Sequence, residues 1–155
     1  MGSQVMDFLL GRFTGVDHID PSYSAGEQTV PTTSVATAEL GGQVLVQRFV
    51  ERRTTDPFEV LNIFMRDRDS GDVLLYSFDS LGYCPDPPAR GAPRGGEIVL
   101  HRTSPRGMSR TTFAATETGV RWSKEFRLNS DGPWAPVVTG ELRRDGTDVA
   151  TGIDA

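Results

Sequence analysis

From Val44 to Leu142 the chain alternates apolar and polar residues in short runs separated by Gly, Pro and Asp. Side chains of an extended strand point to opposite faces in turn, so this period of two predicts strands with one face toward a core. Turn residues recur often enough to join neighbouring strands as hairpins. Such a series is long enough to close on itself, and a small closed sheet encloses either a packed core or a ligand cavity. The predicted fold class is all-β: a single up-and-down antiparallel barrel of about 9–10 strands, led by a short helix.

A helix capped by Ser3 is predicted to run to Leu10, placing Val5, Met6, Leu9 and Leu10 on one side, with Gly11 ending it. Strands are predicted at Arg12 to Ile19, Thr32 to Leu40, Gln43 to Arg52, Phe58 to Arg66 and Val73 to Asp79. They resume at Glu97 to Thr103, Met108 to Glu117, Val120 to Leu128 and Trp134 to Arg143. Between the two groups, Gly82 to Gly96 holds four prolines and four glycines. Proline has no amide hydrogen, so Pro85, Pro87, Pro88 and Pro93 are expected to exclude ladder pairing and leave an irregular segment. Its length suggests a lid over a barrel mouth, with Tyr83 or Arg90 toward the opening, or else a surface excursion. One domain is expected over residues 1–145, with a flexible tail over 146–155.

A chain of 155 residues buries roughly 70% of its unfolded surface, enough for a real core. The net charge is -5, with the sixteen Lys and Arg scattered among the acids, so a nucleic-acid partner is not expected. No apolar run approaches the ~18 residues of a membrane span, and no leader pattern opens the chain. Cys84 is the single cysteine, which rules out an internal disulfide and fits a reducing compartment. A cytoplasmic protein is therefore expected, with no membrane partner and with a homodimer left open.

The order of elements resembles a known pattern. Leu10-Gly11-Arg12-Phe13-Thr14-Gly15 after a leading helix is similar to the start of calycin-like barrels, where Gly-x-Trp closes one end. Leu40-Gly41-Gly42-Gln43-Val44-Leu45-Val46-Gln47, Phe58-Glu59-Val60-Leu61, Asp69-Ser70-Gly71, Tyr76-Ser77-Phe78-Asp79-Ser80-Leu81-Gly82 and Trp134 to Leu142 resemble an uncharacterised bacterial family of such barrels. Its better-known relatives are the lipocalins, fatty-acid-binding proteins and nitrobindins. The likeness spans residues 7 to 144. Phe13 replaces the usual Trp, keeping the ring and losing the indole donor. The resemblance implies that an arginine near the C-terminus, Arg143 or Arg144, packs over that ring. A nitrobindin-like protein would also have a haem-ligating histidine late in the chain; none follows His101, so no cofactor is expected.

No residue set announces a reaction. Lys124 stands in an apolar stripe with Val120, Trp122, Phe126 and Leu128, so it either snorkels at a rim or enters the cavity to meet an anionic group. Arg48 and Arg66 would clasp a carboxylate if they point inward, and are solvated charges if they do not. His101 lies opposite Ile98 and Leu100, which makes it an exposed strand residue or, on the other face, a cavity base; His18 follows the same logic. Tyr76, Asp79, Tyr83 and Cys84 gather at the start of the long segment. The residues expected to meet a ligand are Lys124, Trp122, Arg48, Tyr76, Tyr83, His101 and Phe64. Asp67 to Asp72 lacks the spacing of a calcium loop, and two isolated histidines make no zinc site, so no metal is expected. The leading expectation is binding of a small, largely apolar molecule in the barrel, with or without an anionic group. The alternative is a cavity enzyme, such as a cyclase or isomerase of secondary metabolism, using Lys124, His101, Tyr76 or Asp79 as acid or base.

Overall fold

Alternation becomes a closed sheet in the computed structural model, which describes residues 4–23 and 28–146. The strands are β1 (Gly11–Ile19), β2 (Thr29–Glu39), β3 (Val44–Glu51), β4 (Phe58–Arg66), β5 (Val73–Asp79), β6 (Ala89–Gly91), β7 (Pro93–Arg94), β8 (Glu97–Ser104), β9 (Gly107–Ala115), β10 (Gly119–Arg127) and β11 (Ala135–Arg144). Neighbours in chain order pair antiparallel except β6 and β7, β1 pairs with β11, and β6 pairs with β8. The result is a closed up-and-down barrel of ten strands, with the two-residue β7 a side branch on β8. Closure leaves no long sheet edge unpaired.

The predicted bounds of β4 and β5 coincide with the structure, and most others differ by a residue or two at the ends. Two local expectations need correction. The leading helix is a 3-10 turn over Gln4–Leu9. Its Met6 and Leu9 are buried in the barrel end, so tertiary packing holds a segment too short to be helical alone. Ser3, the expected cap, lies outside the described residues, as does the tail over 147–155. The second correction is larger: the proline-rich segment is not wholly irregular. Ala89–Gly91 escapes its flanking prolines and pairs with β5 and β8, closing the ring. Shortening Gly82 to Gly96 to a tight turn would thus remove a stave of the barrel.

The two ends differ. Phe13, Ala36, Leu45, Phe64, Val73 and Ile98, with further buried apolar residues, fill the end plugged by the 3-10 turn. Arg144 locks it: its guanidinium lies 4.6 Å from the centre of the Phe13 ring, and its Nη1 donates to the Leu10 carbonyl at 2.7 Å. A charge-assisted bond and a cation–π contact together are worth about 1–3 kcal/mol. Arg144→Ala is therefore expected to lower Tm by about 2–12 °C, at about 2–4 °C per kcal/mol for a chain of this size. A thermal melt showing no change would rule out a stabilising role for this clamp.

Candidate functional site

Away from the plug, the interior becomes polar and opens. A cavity of about 610 Å³ occupies this half of the barrel. Its floor is aromatic: Trp122 lies edge-on to Phe49 at 5.0 Å and stacks with Phe113 at 6.1 Å. Rings present a large flat apolar surface at low conformational cost, which suits a planar or hydrocarbon ligand.

One wall carries acids. Asp17 on β1 and Glu51 on β3 are both buried, at 0% and 3% exposure, and each acidic group feels the other's charge. Asp17 Oδ1 accepts from Trp122 Nε1 at 2.9 Å, and Arg53 Nη2 pairs with Glu51 Oε1 at 2.7 Å. The Trp122 contact crosses β11, where Gly140 stands between the two strands. A Cβ there would fall 2.0 Å from Asp17 Oδ1 and 2.4 Å from Trp122 Nε1, so the bond exists because residue 140 has no side chain. Burial, followed by the neighbouring Glu51 carboxyl, pushes the Asp17 carboxyl up to about 8, so it holds its proton at neutral pH. Glu51 faces the cavity; Asp17 sits behind it.

The other wall carries cations. Lys124 on β10 and Arg102 on β8 line the cavity, with Arg106 and Asp86 toward the mouth. Asp86 pairs with Arg106 at 3.0 Å and with Arg102 at 3.7 Å. Lys124 forms no ion pair among the described residues. Burial, reinforced by Arg102, lowers its pKa. A polar belt of Gln47, Asn62 and Ser77 runs from β3 across β4 to β5 through bonds of 2.8 and 2.7 Å.

Of the residues expected to meet a ligand, Lys124, Trp122 and Tyr83 line the cavity, Tyr83 at its mouth. Phe64 is fully buried beneath the floor, edge-on to Phe113 at 5.4 Å. Arg48, Tyr76 and His101 are exposed on the outer face. For Arg48 the reason is register: Leu45, Gln47, Phe49 and Glu51 point inward, so Val44, Val46 and Arg48 point out. Tyr76 is outward by the same parity, between inward Leu75 and Ser77. His101 packs outside against Trp134, with ring centres 6.1 Å apart, and His18 meets Thr29 on the surface. Arg66 is exposed and donates to the Gly71 carbonyl. Arg90 does not face the opening but pairs with Asp67 and Asp72 outside. Asp79 and Cys84 do line the mouth.

Asp17, Glu51, Arg53 and Arg102 were not singled out by their sequence pattern. A polar residue on an inward face looks like an outward one when apolar residues alone mark the core. The usable signal was parity: Arg102 follows Ile98 and Leu100 at steps of two, and Asp17 follows Phe13 at four. A broader groove of about 1020 Å³ runs over the outside of β1, β11 and β10. Its lining is mostly threonine, glycine and exposed charge, and it lacks the convergent buried groups of the interior. Among the described residues no three His, Cys, Asp or Glu side chains gather to hold a metal ion, and no helix is long and apolar enough to cross a membrane.

No family model matches the sequence, and no curated protein does. The structure is similar to the crystal structure of Rv2717c from M. tuberculosis, with a TM-score of 0.68 over 94% of this chain and 99% of that one. The sequences are 16% identical, so the likeness extends to the barrel fold.

Proposed function

We propose that the chain binds a small, largely apolar molecule in the barrel, with an acidic or hydrogen-bond-accepting group against Lys124 and Arg102. The carrying observation is the 610 Å³ cavity, whose aromatic floor ends at a cationic wall. A lysine without an ion pair inside a barrel is costly unless something anionic or polar meets it. Cavity, flat floor and a few convergent polar groups are the usual parts of a small-molecule site.

The Arg144 clamp over Phe13 supports the finer reading of a calycin-like barrel, akin to lipocalins and the bacterial family named above. Scattered charge and the single cysteine support a cytoplasmic setting without nucleic-acid or membrane partners, as a monomer or a homodimer.

Binding is tested with 1-anilinonaphthalene-8-sulfonate, an aromatic anion, on a Trp134→Phe background that leaves Trp122 as the reporter indole. Saturable 1:1 quenching is expected. Lys124→Met should weaken it by about tenfold or more, since a hydrogen bond to a charged group contributes about 1.5–3 kcal/mol. Native mass spectrometry of the fresh protein should show a co-purifying mass. Linear, unsaturable quenching together with the bare mass would sink the reading.

A further inference from the structure

We propose that the barrel is also a proton-transfer catalyst, with Glu51 as general base toward a carbon beside a carbonyl, Asp17 as its positioning partner and Lys124 as the donor to the carbonyl oxygen. The proposal goes beyond ligand binding but rests on the cavity being a ligand site. Two carboxyl groups on one buried wall are an expensive way to fill a barrel, because apolar side chains of equal volume pack there at no desolvation cost. The pair also has a direction. Trp122 donates to Asp17 Oδ1, Oδ2 is buried without a hydrogen-bond partner, and burial keeps the proton on Asp17. Glu51, held by Arg53, is then the carboxylate that the cavity meets.

Lys124 stands on β10, four strands from β3 in the ring of ten and so nearly opposite Glu51. A flat ketone lying on Trp122 and Phe113 would have a base at one side and a cation at the other. The step balances without a co-reactant. The C–H bond beside the carbonyl breaks, its proton forms an O–H bond on Glu51, and its electron pair becomes the enolate double bond. The carbonyl π pair moves to oxygen, where the Lys124 ammonium stabilises it by a hydrogen bond. Glu51 trades that proton for one from the solvent, and its delivery to the same carbon exchanges hydrogen. Return to the far carbon of a conjugated system moves a double bond. The substrate class is thus an apolar, ring-bearing ketone or unsaturated ketone.

The probe is 2-tetralone in D2O with the full chain, followed by deuterium uptake beside the carbonyl. Saturable uptake above the buffer rate is expected, with Glu51→Gln at least about 100-fold slower. Asp17→Asn should leave KM unchanged. It should also remove an inflection in the rate–pH profile set by the groups facing Asp17: Glu51 from β3 with Arg53 beyond it, Thr32 from β2 and Trp122 from β10. Should Glu51→Gln fail to fold, Lys124→Met decides, and uptake as fast as in the parent overturns the assignment. Uptake at the buffer rate despite quenching of Trp122 by the ketone overturns catalysis and leaves binding standing. Undiminished uptake in folded Glu51→Gln also overturns it. Absence of both quenching and uptake removes this proposal, while the sulfonate titration judges binding separately.

Discussion

Between pH 5 and pH 8 the barrel is expected to lose up to about 4 kcal/mol of stability, and Asp17→Asn is expected to abolish the loss. Asp17 ionises near 3.8 in the open chain and at about 8 in the fold. Through that window the folded chain keeps a proton that the unfolded chain has released. Folding therefore takes up a proton, and raising the pH opposes it by up to about 1.4 kcal/mol per unit. Below the lower value both states are protonated and the stabilisation is complete; above the upper one both are ionised and it is gone. Asp17 is fully buried, so solvent does not screen the effect. Lys124 works in the opposite sense: its lowered pKa adds stability as pH rises toward 10.5. Asp67, half-buried and with its pKa lowered first by the Ser70 hydroxyl, matters only in acid. Urea midpoints at pH 5, 6, 7 and 8, in the parent and in Asp17→Asn, separate these contributions. A parent midpoint constant over that range would contradict a protonated Asp17.

Gly91→Val is expected to unseal the barrel and to cost more than about 3 kcal/mol. A Cβ at residue 91 would lie 1.7 Å from the Val99 carbonyl oxygen and 2.8 Å from its carbon. These are backbone atoms and cannot rotate aside, so β6 must leave β8. The seam has little in reserve, since β6 pairs three residues with β5 and only Arg90 with His101 on β8. Beneath it lie Ala89, Val73 and Leu100, each at most 1% exposed, which separation would wet. Hydrogen exchange should show selective loss of protection in β5 and β8, with β1 and β11 retained. Protection equal to that of the parent would show that the seam tolerates a side chain.

The seam also shows what could be read in advance. Wherever apolar residues mark one face cleanly, as in Val120, Trp122 and Phe126, the period of two predicts both strand and orientation. In β3 the apolar residues occupy both faces, with Val44, Val46 and Val50 half-buried outside and Leu45 and Phe49 buried inside. The pattern then cannot decide direction, and Arg48 is set on the wrong side. The acid wall was hidden for the opposite reason. Thr32, Ser34, Gln47, Glu51 and Asn62 face inward yet are polar, so a rule that equates polarity with solvent places them outside. A proline-rich run conceals the closing strand because only three residues of it pair. The fold was legible from repetition; the site departs from that repetition and so was legible only in part.

Closure of β1 onto β11 sets an order on the making of the protein. Of the eleven strands, residues 11–19 are made first and their partner at 135–144 last. Until then β1 has one free edge and β10 another, and the Arg144 side chain that will cover Phe13 does not yet exist. The nascent chain can therefore form hairpins in sequence but cannot finish its interior while it grows. Its window for mispairing with another chain is longest at β1, where a strand edge waits until every other strand has been made. A chain halted before residue 135 would carry most of the barrel's residues and still expose two open edges.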